Sequence, residues 1–130
     1  MMYNKIVEDC FFNSNHVGLV QPDYPLSAHF KSHVPGQNNR LDLYLVCTKD
    51  KIIQRACFKA MGNPYMIAAL EWICREIEGL ELEQLPVINY PLLVETLAIP
   101  NTEYPVAIQV SQAYQEVVKL MRNTFEELKS

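Results

Sequence analysis

Glycine is scarce in this chain, with four among 130 residues. A phosphate-cradling loop needs glycines in close succession so that the backbone can approach the phosphate, and no such cluster exists. Positive charge is in deficit: 11 lysines and arginines stand against 15 acids, for a net charge of −4. That balance lacks the basic footprint of a nucleic-acid binder. No apolar run approaches the roughly 18 residues that a membrane span requires. The opening residues place Glu8 and Asp9 where a secretory signal needs an apolar stretch, so a cytoplasmic location is expected. The four cysteines, at 10, 47, 57 and 74, form no paired metal or redox motif, and reduced thiols are the expectation. Catalytic constellations are missing as well. Asp23, Asp42 and Asp50 have no histidine at a recognisable spacing, and Ser14 and Ser111 lack a nucleophile elbow. No enzymatic activity is expected.

What the chain does have is enough apolar material for a core. Apolar residues make up 49% and charged residues 20%, as in a globular chain, and the length fits a single domain over residues 1–130. Ile6, Val7, Cys10 and Phe11 recur at helical spacing and predict a short helix over 3–12. The period then changes to two. Leu41, Leu43, Leu45 and Cys47 alternate with Asp42, Tyr44, Val46 and Thr48, predicting a half-buried strand. A polar turn leads to a second strand at 52–60, with Phe58 pointing inward and Cys57 outward beside Arg55 and Lys59. Residues 28–34 are expected to form the first strand of the same antiparallel sheet.

Pro64 suits the first turn of a helix whose apolar stripe is Met66, Leu70, Ile73 and Ile77, with Glu71, Arg75 and Glu78 as a solvated face and Gly79 as its stop. Short helices are expected at 81–86 and 90–97. A long helix at about 103–128 carries Val106, Val110, Ala113, Val117, Leu120 and Leu128 on one stripe, widened by Met121 and Phe125. The order predicts an α+β fold: a small three-stranded antiparallel sheet with helices packed on one face.

The segment Phe58-Lys59-Ala60-Met61-Gly62-Asn63 resembles the strand-to-helix junction Phe-Lys-x-x-Gly-Cys of the IscU/NifU N-terminal scaffold family, which builds iron–sulfur clusters. The family's Pro-Ala-Cys-Gly-Asp corresponds to Pro35-Gly36-Gln37-Asn38-Asn39, and its His-Cys to Pro105-Val106. Of its Asn-Pro-x-Asn-Val-Gly, Asn13, Val17 and Gly18 remain. The resemblance spans Tyr3 to about Leu120 and implies the same α+β architecture. By the same resemblance, the ligand positions are Gln37, Asn39, Asn63, Pro105 and Val106. None carries a family ligand. Iron–sulfur ligation depends on soft thiolates, and persulfide transfer from a desulfurase needs a nucleophilic thiol. The family's chaperone motif Leu-Pro-Pro-Val-Lys is eroded to Ile99-Pro100-Asn101-Thr102-Glu103, with a charge reversal at its end. Chaperone recognition is therefore not expected, and Asn101 or Thr102 has a simpler use as a helix cap.

Three functions remain open at this point. The first is a degenerate scaffold acting through contacts with a cysteine desulfurase or another iron–sulfur assembly component, with no cofactor expected. The second is an iron or iron–sulfur binder with relocated ligands. Cys57 is its best residue, because neighbouring Arg55 and Lys59 would favour thiolate, and His29 and His33, four apart, share a face if 28–34 is a strand. A surface thiol and two surface histidines is the simpler account of these three. Cys10, Cys47 and Cys74 are expected to pack as small hydrophobes. The third is a small-molecule binder whose cleft is lined by Asn38, Asn39 and Asn63 with Pro35 and Pro105. Pro64 and Pro105 restrict the backbone beside the altered ligand positions, which predicts order there without metal.

Overall fold

Alternation in the middle of the chain becomes the centre of a sheet. In the computed structural model, which describes residues 3–21 and 24–129, the strands are β1 (Ser27–His33), β2 (Arg40–Cys47) and β3 (Ile53–Met61). Asp23 lies outside the described residues. Both pairings are antiparallel and the order is β1-β2-β3. Residues 16–18 run parallel to β3 at its far side: the Phe58 amide donates to the His16 carbonyl at 2.9 Å, and the Gly18 amide donates to the Phe58 carbonyl at 2.8 Å. The register steps between Val46 and Cys47, leaving Gln54 as the extra residue of a β-bulge.

Helices α1 (Lys5–Phe12), α2 (Pro64–Ile77), α3 (Tyr90–Leu97) and α4 (Tyr104–Lys129) complete the fold. Each of the first three starts at an asparagine whose side-chain oxygen accepts an otherwise unpaired backbone N–H: Asn4 from Val7, Asn63 from Met66 and Asn89 from Leu92. Gly79, at φ +90°, turns the chain just beyond α2 in a conformation that other residues adopt at a cost. Leu41, Leu43 and Leu45 on β2, with Ala56 and Phe58 on β3, meet α2 and α4 in one continuous core. Each fully buried leucine there contributes about 2 kcal/mol. The expected α+β arrangement, with helices on one face of a three-stranded sheet, is the one observed.

Four local expectations need correction. Leu120 and Leu128 are 38% and 66% exposed; the buried stripe of α4 continues through Val117, Val118, Met121 and Phe125 instead. The buried line continues at a spacing of four through Val117, Met121 and Phe125, and Leu120, one position before Met121, is turned about 100° around the helix from it. The segment expected as a helix at 81–86 is only a 3-10 turn at Leu82–Gln84, because Pro86 disfavours helical backbone at Leu85. Asn101 and Thr102 cap nothing with their side chains; they lie within a 3-10 turn, Asn101–Glu103, that leads into α4.

Glu71 is the fourth correction and the most consequential. It is fully buried rather than part of a solvated face. Its carboxylate accepts from the His16 amide at 2.9 Å, from His16 Nδ1 at 2.6 Å and from Arg75 Nε at 2.8 Å. Arg75 reaches on to Asp9 Oδ2 at 2.7 Å and to the Asn13 carbonyl at 2.8 Å, holding the end of α1. Glu78 stands 3.2 Å from His16 Nε2 and accepts the Ala56 amide of β3 at 3.0 Å. One buried charge thus fixes α1, the 13–18 connection, α2 and β3 together.

Removing one partner of a buried charge network is strongly destabilising, because the remaining charges stay buried without compensation. Glu71→Ala is therefore expected to lower unfolding free energy by about 3–5 kcal/mol in urea denaturation; a loss below about 1 kcal/mol would refute the structural role. Burial also raises the Cys47 thiol from its ordinary 9.0 to about 11, and raises Cys10, Cys57 and Cys74 in the same direction. The folded state then retains protons that the unfolded chain loses, so stability falls as pH rises from 9.0 towards about 11. Denaturation midpoints that stay level through that window would contradict the burial of these thiols.

Candidate functional site

Three connections meet at one end of the sheet: the β1–β2 loop at 34–39, the β3–α2 junction at 62–63 and the entry to α4 at 101–106. Gly62 lets two of them approach closely. A Cβ on that residue would fall 2.7 Å from Met66 Sδ and 3.3 Å from Asn39 Oδ1. Asn63 is committed twice. Its oxygen accepts the Met66 amide at 3.1 Å as the cap of α2, and its Nδ2 donates to Glu103 Oε2. Gln109, only 5% exposed, closes the other side: its Nε2 donates to Ser32 Oγ at 3.1 Å and to the Asn39 carbonyl at 3.4 Å.

These contacts decide what each altered ligand position can do. Gln37 is exposed on a turn whose amide donates to the Val34 carbonyl at 3.1 Å, and His33 Nε2 donates to its carbonyl at 3.2 Å. Asn39 turns its carbonyl to Gln109. Pro105 is exposed and offers no donor, while Val106 is buried in the main core. The donor set is therefore three neutral amides, with two aliphatic side chains that offer no donor and Glu103 as the nearby carboxylate already engaged. It does not fit an iron–sulfur cluster, which requires soft thiolates. Among the described residues, no three His, Cys, Asp or Glu gather where they could hold a metal ion. The expected polar cleft of Asn38, Asn39 and Asn63 is crossed by hydrogen bonds, and the larger clefts open on the outer face of the sheet instead.

Of the chaperone-motif positions, Ile99 packs in the core, Pro100, Asn101 and Thr102 are exposed, and Glu103 is bound by Asn63. Two eroded motifs are thus joined to each other. Sequence reasoning missed this link, since Glu103 and Asn63 are 40 positions apart. It also missed Gln109, although a signal existed: a polar residue sitting on the buried stripe between Val106 and Val110.

The relocated site built from Cys57, His29 and His33 is not assembled. Cys57 does face away from the helices, but Val20 crosses over it and leaves it 2% exposed. Burial pushes its thiol up, outweighing the lowering pull of Arg55. The expectation of a solvent-facing thiolate is thus overturned, because the outer face of the sheet is partly roofed by residues 17–21. Tyr44 lies between Cys57 and His29 in the cross-strand register. The His29 ring stacks on Tyr44 at 4.3 Å and donates from Nε2 to Asp42 Oδ1 at 2.6 Å. His33 sits four residues further along β1, opposite Arg40. Cys10, Cys47 and Cys74 pack in the main core as expected.

Comparison with known proteins accords with this geometry. The family model for the NifU-like N-terminal domain matches residues 2–125. No curated protein matches the sequence. Among solved structures, the N-terminal part of a nitrogen-fixing NifU-like protein from Brucella abortus superposes with a TM-score of 0.65 at 15% identity, covering 92% of this chain and 94% of that one. A putative iron–sulfur cluster assembly scaffold protein for the SUF system from Fervidobacterium islandicum superposes with a TM-score of 0.67 at 12% identity, covering 89% and 96%. At those identities the structures speak for the fold. The sequence match over nearly the whole length settles the family: the chain belongs to the NifU-like N-terminal domain family, and carries Gln, Asn and Val at positions 37, 63 and 106.

Proposed function

We propose that this protein serves iron–sulfur cluster assembly through protein contacts, as an accessory or regulatory member of its family, and not by holding a cluster. Asn63 carries the proposal. The residue at the altered junction has both ends of its amide occupied, one by the α2 cap and one by Glu103. A residue so placed serves the apo structure. The partner proposed is a cysteine desulfurase or another assembly component, bound by the shape that this fold retains. Catalysis plays no part in this reading, and no resident cofactor is expected. Recognition by the family's chaperone is not expected either, since Ile99 is packed inward and Glu103 reverses the charge.

The direct test is binding to purified cysteine desulfurase from the same organism, by calorimetry, alongside anaerobic reconstitution with ferrous iron and sulfide. The expected pair of results is a saturable complex and no iron retained after desalting. Absence of a complex with any assembly component would sink the contact role, and retained iron with sulfur-to-iron charge-transfer absorption would restore the cluster-binding one.

The apo order of the site generates its own prediction. Asn63→Ala removes a helix cap and the Glu103 partner, and should cost about 1–2 kcal/mol. Glu103→Ala should cost less, and the two changes together should cost less than their sum, since they share one interaction. Strict additivity in urea denaturation would show that the Asn63–Glu103 bond contributes nothing.

A further inference from the structure

The outer face of the sheet carries a concentration of positive charge that the composition hides. Opposite residues on β1, β2 and β3 form rows: His33, Arg40 and Met61; then Lys31, Asp42 and Lys59; then His29, Tyr44 and Cys57; then Ser27, Val46 and Arg55. Four of the 11 lysines and arginines thus stand on this face with Asp42 as the acid among them, on a protein of net charge −4. Lys31, Arg40 and Lys59 are exposed, and none makes an ion pair among the described residues. Asp42, flanked by both lysines in the register, turns its Oδ1 to His29 instead.

Protection of a sheet edge does not account for this pattern. Lysine on an edge strand discourages strand addition, which would suit Lys31 on β1. Arg40 lies on the central strand, and Lys59 on a strand whose far side is already paired to residues 16–18, so neither guards an open edge.

We propose that this face, around Lys31, Arg40 and Lys59, docks an acidic polypeptide segment of a partner protein. The inference rests on the contact role proposed above and names the surface and the chemistry that would serve it. Charge complementarity selects an acidic occupant. The cleft there, about 200 Å³ and lined by Lys31, Arg40, Asp42, Lys59, Ala60 and Met61, is smaller than the roughly 300–1,000 Å³ of small-molecule sites and shallow enough for a chain laid across it. Met61, 67% exposed at the corner of the patch, supplies a flexible apolar anchor that a protein side chain can use and a bare polyanion cannot. Asp42 is the one acid in these rows, and net negative charge over the rest of the chain disfavours a long polyanion running past the patch.

The test uses the full chain and a labelled glutamate-rich peptide bearing one leucine, followed by fluorescence anisotropy and by amide chemical shifts. Saturable binding is expected, weakening about tenfold or more between low and high salt, with shifts centred on β1–β3 around Lys31, Arg40 and Lys59. The variant Lys31→Glu/Arg40→Glu/Lys59→Glu should lose about tenfold or more in affinity, and Lys119→Glu/Arg122→Glu on α4 should lose none. Lys31→Ala/Lys59→Ala gives the same reading should the reversal impair folding. The proposal is overturned by absence of saturation, by shifts on another surface, by equal binding of the glutamine version of the peptide, or by tighter binding of an oligonucleotide at the patch. Desulfurase binding by the same reversal variant separates the two readings: retained binding beside a failed peptide arm removes the docking face alone, while peptide binding with no assembly partner removes the contact role alone.

Discussion

A single buried carboxylate organises this fold. Glu71 lies with no solvent contact inside a helix whose other inward residues are apolar, and a bare charge there would be intolerable. It is tolerated because three donors converge on it, two from His16 and one from Arg75. Each donor belongs to a segment that needs placing. His16 starts the short stretch that pairs with β3, and Arg75 extends to Asp9 and to the end of α1. The position of Val20 over Cys57 follows, because the chain enters the outer face of the sheet from the stretch that Glu71 anchors. The roof over the sheet, and with it the burial of Cys57, depends on the Glu71 network.

The opposite end of the sheet meets a different constraint. Three connections converge there, and convergence of polar backbone needs cross-links to be stable. Thiolates around a metal would provide them; this chain uses amides. Gln109 joins α4 to β1 and to the β1–β2 loop, and Asn63 joins α2 to the entry of α4. The exchange alters more than ligand identity. A cysteine at 63 could not cap α2 as asparagine does, nor could it hold Glu103. The substitutions at 63 and 103 act as one unit, whereas Gln37 stays outside it on an exposed turn and Val106 joins the core.

How much of this was legible in the sequence varies with the range of the interaction. Strands and helices followed from periodicity and caps, which are local: the alternation of 41–47, Pro64 behind Asn63, and Gly79 after Ile77 all held. The inward and outward faces of β3 were also legible, since Phe58 and Cys57 must point to opposite sides. The exposure of Cys57 was not legible, because it depends on where residues 17–21 travel after leaving the sheet. Glu71 was misjudged for the same reason. Beside Arg75 and Glu78 it has the pattern of a solvated face, and only the arrival of His16 from 55 positions away makes the site an interior one. Leu120 and Leu128 were assigned inward because a stripe of apolar residues fixes the face only to within one neighbouring position. Asn63 was noticed as a missing cysteine; its positive use required Glu103.

These observations bear jointly on what the surface can offer. Changes at the ligand positions leave the site end cross-linked through Asn63 and Gln109, so a partner arriving there meets a surface already held together. Beside it, on the outer face, the lysines and the arginine at the hairpin end are exposed and lack ion-pair partners among the described residues. Asp42 could neutralise them, but its carboxylate is drawn along the sheet to His29, whose ring is held by stacking on Tyr44. The stack therefore affects the patch without belonging to it: a ring kept over Tyr44 keeps the carboxylate away from Lys31 and Lys59. The stability of exposed charges is little affected by leaving them unpaired, since surface ion pairs contribute roughly 0–1 kcal/mol. What the arrangement does change is the field presented to an approaching partner, a local positive area on an otherwise acidic protein, and fields of that kind govern orientation and encounter rate more than affinity.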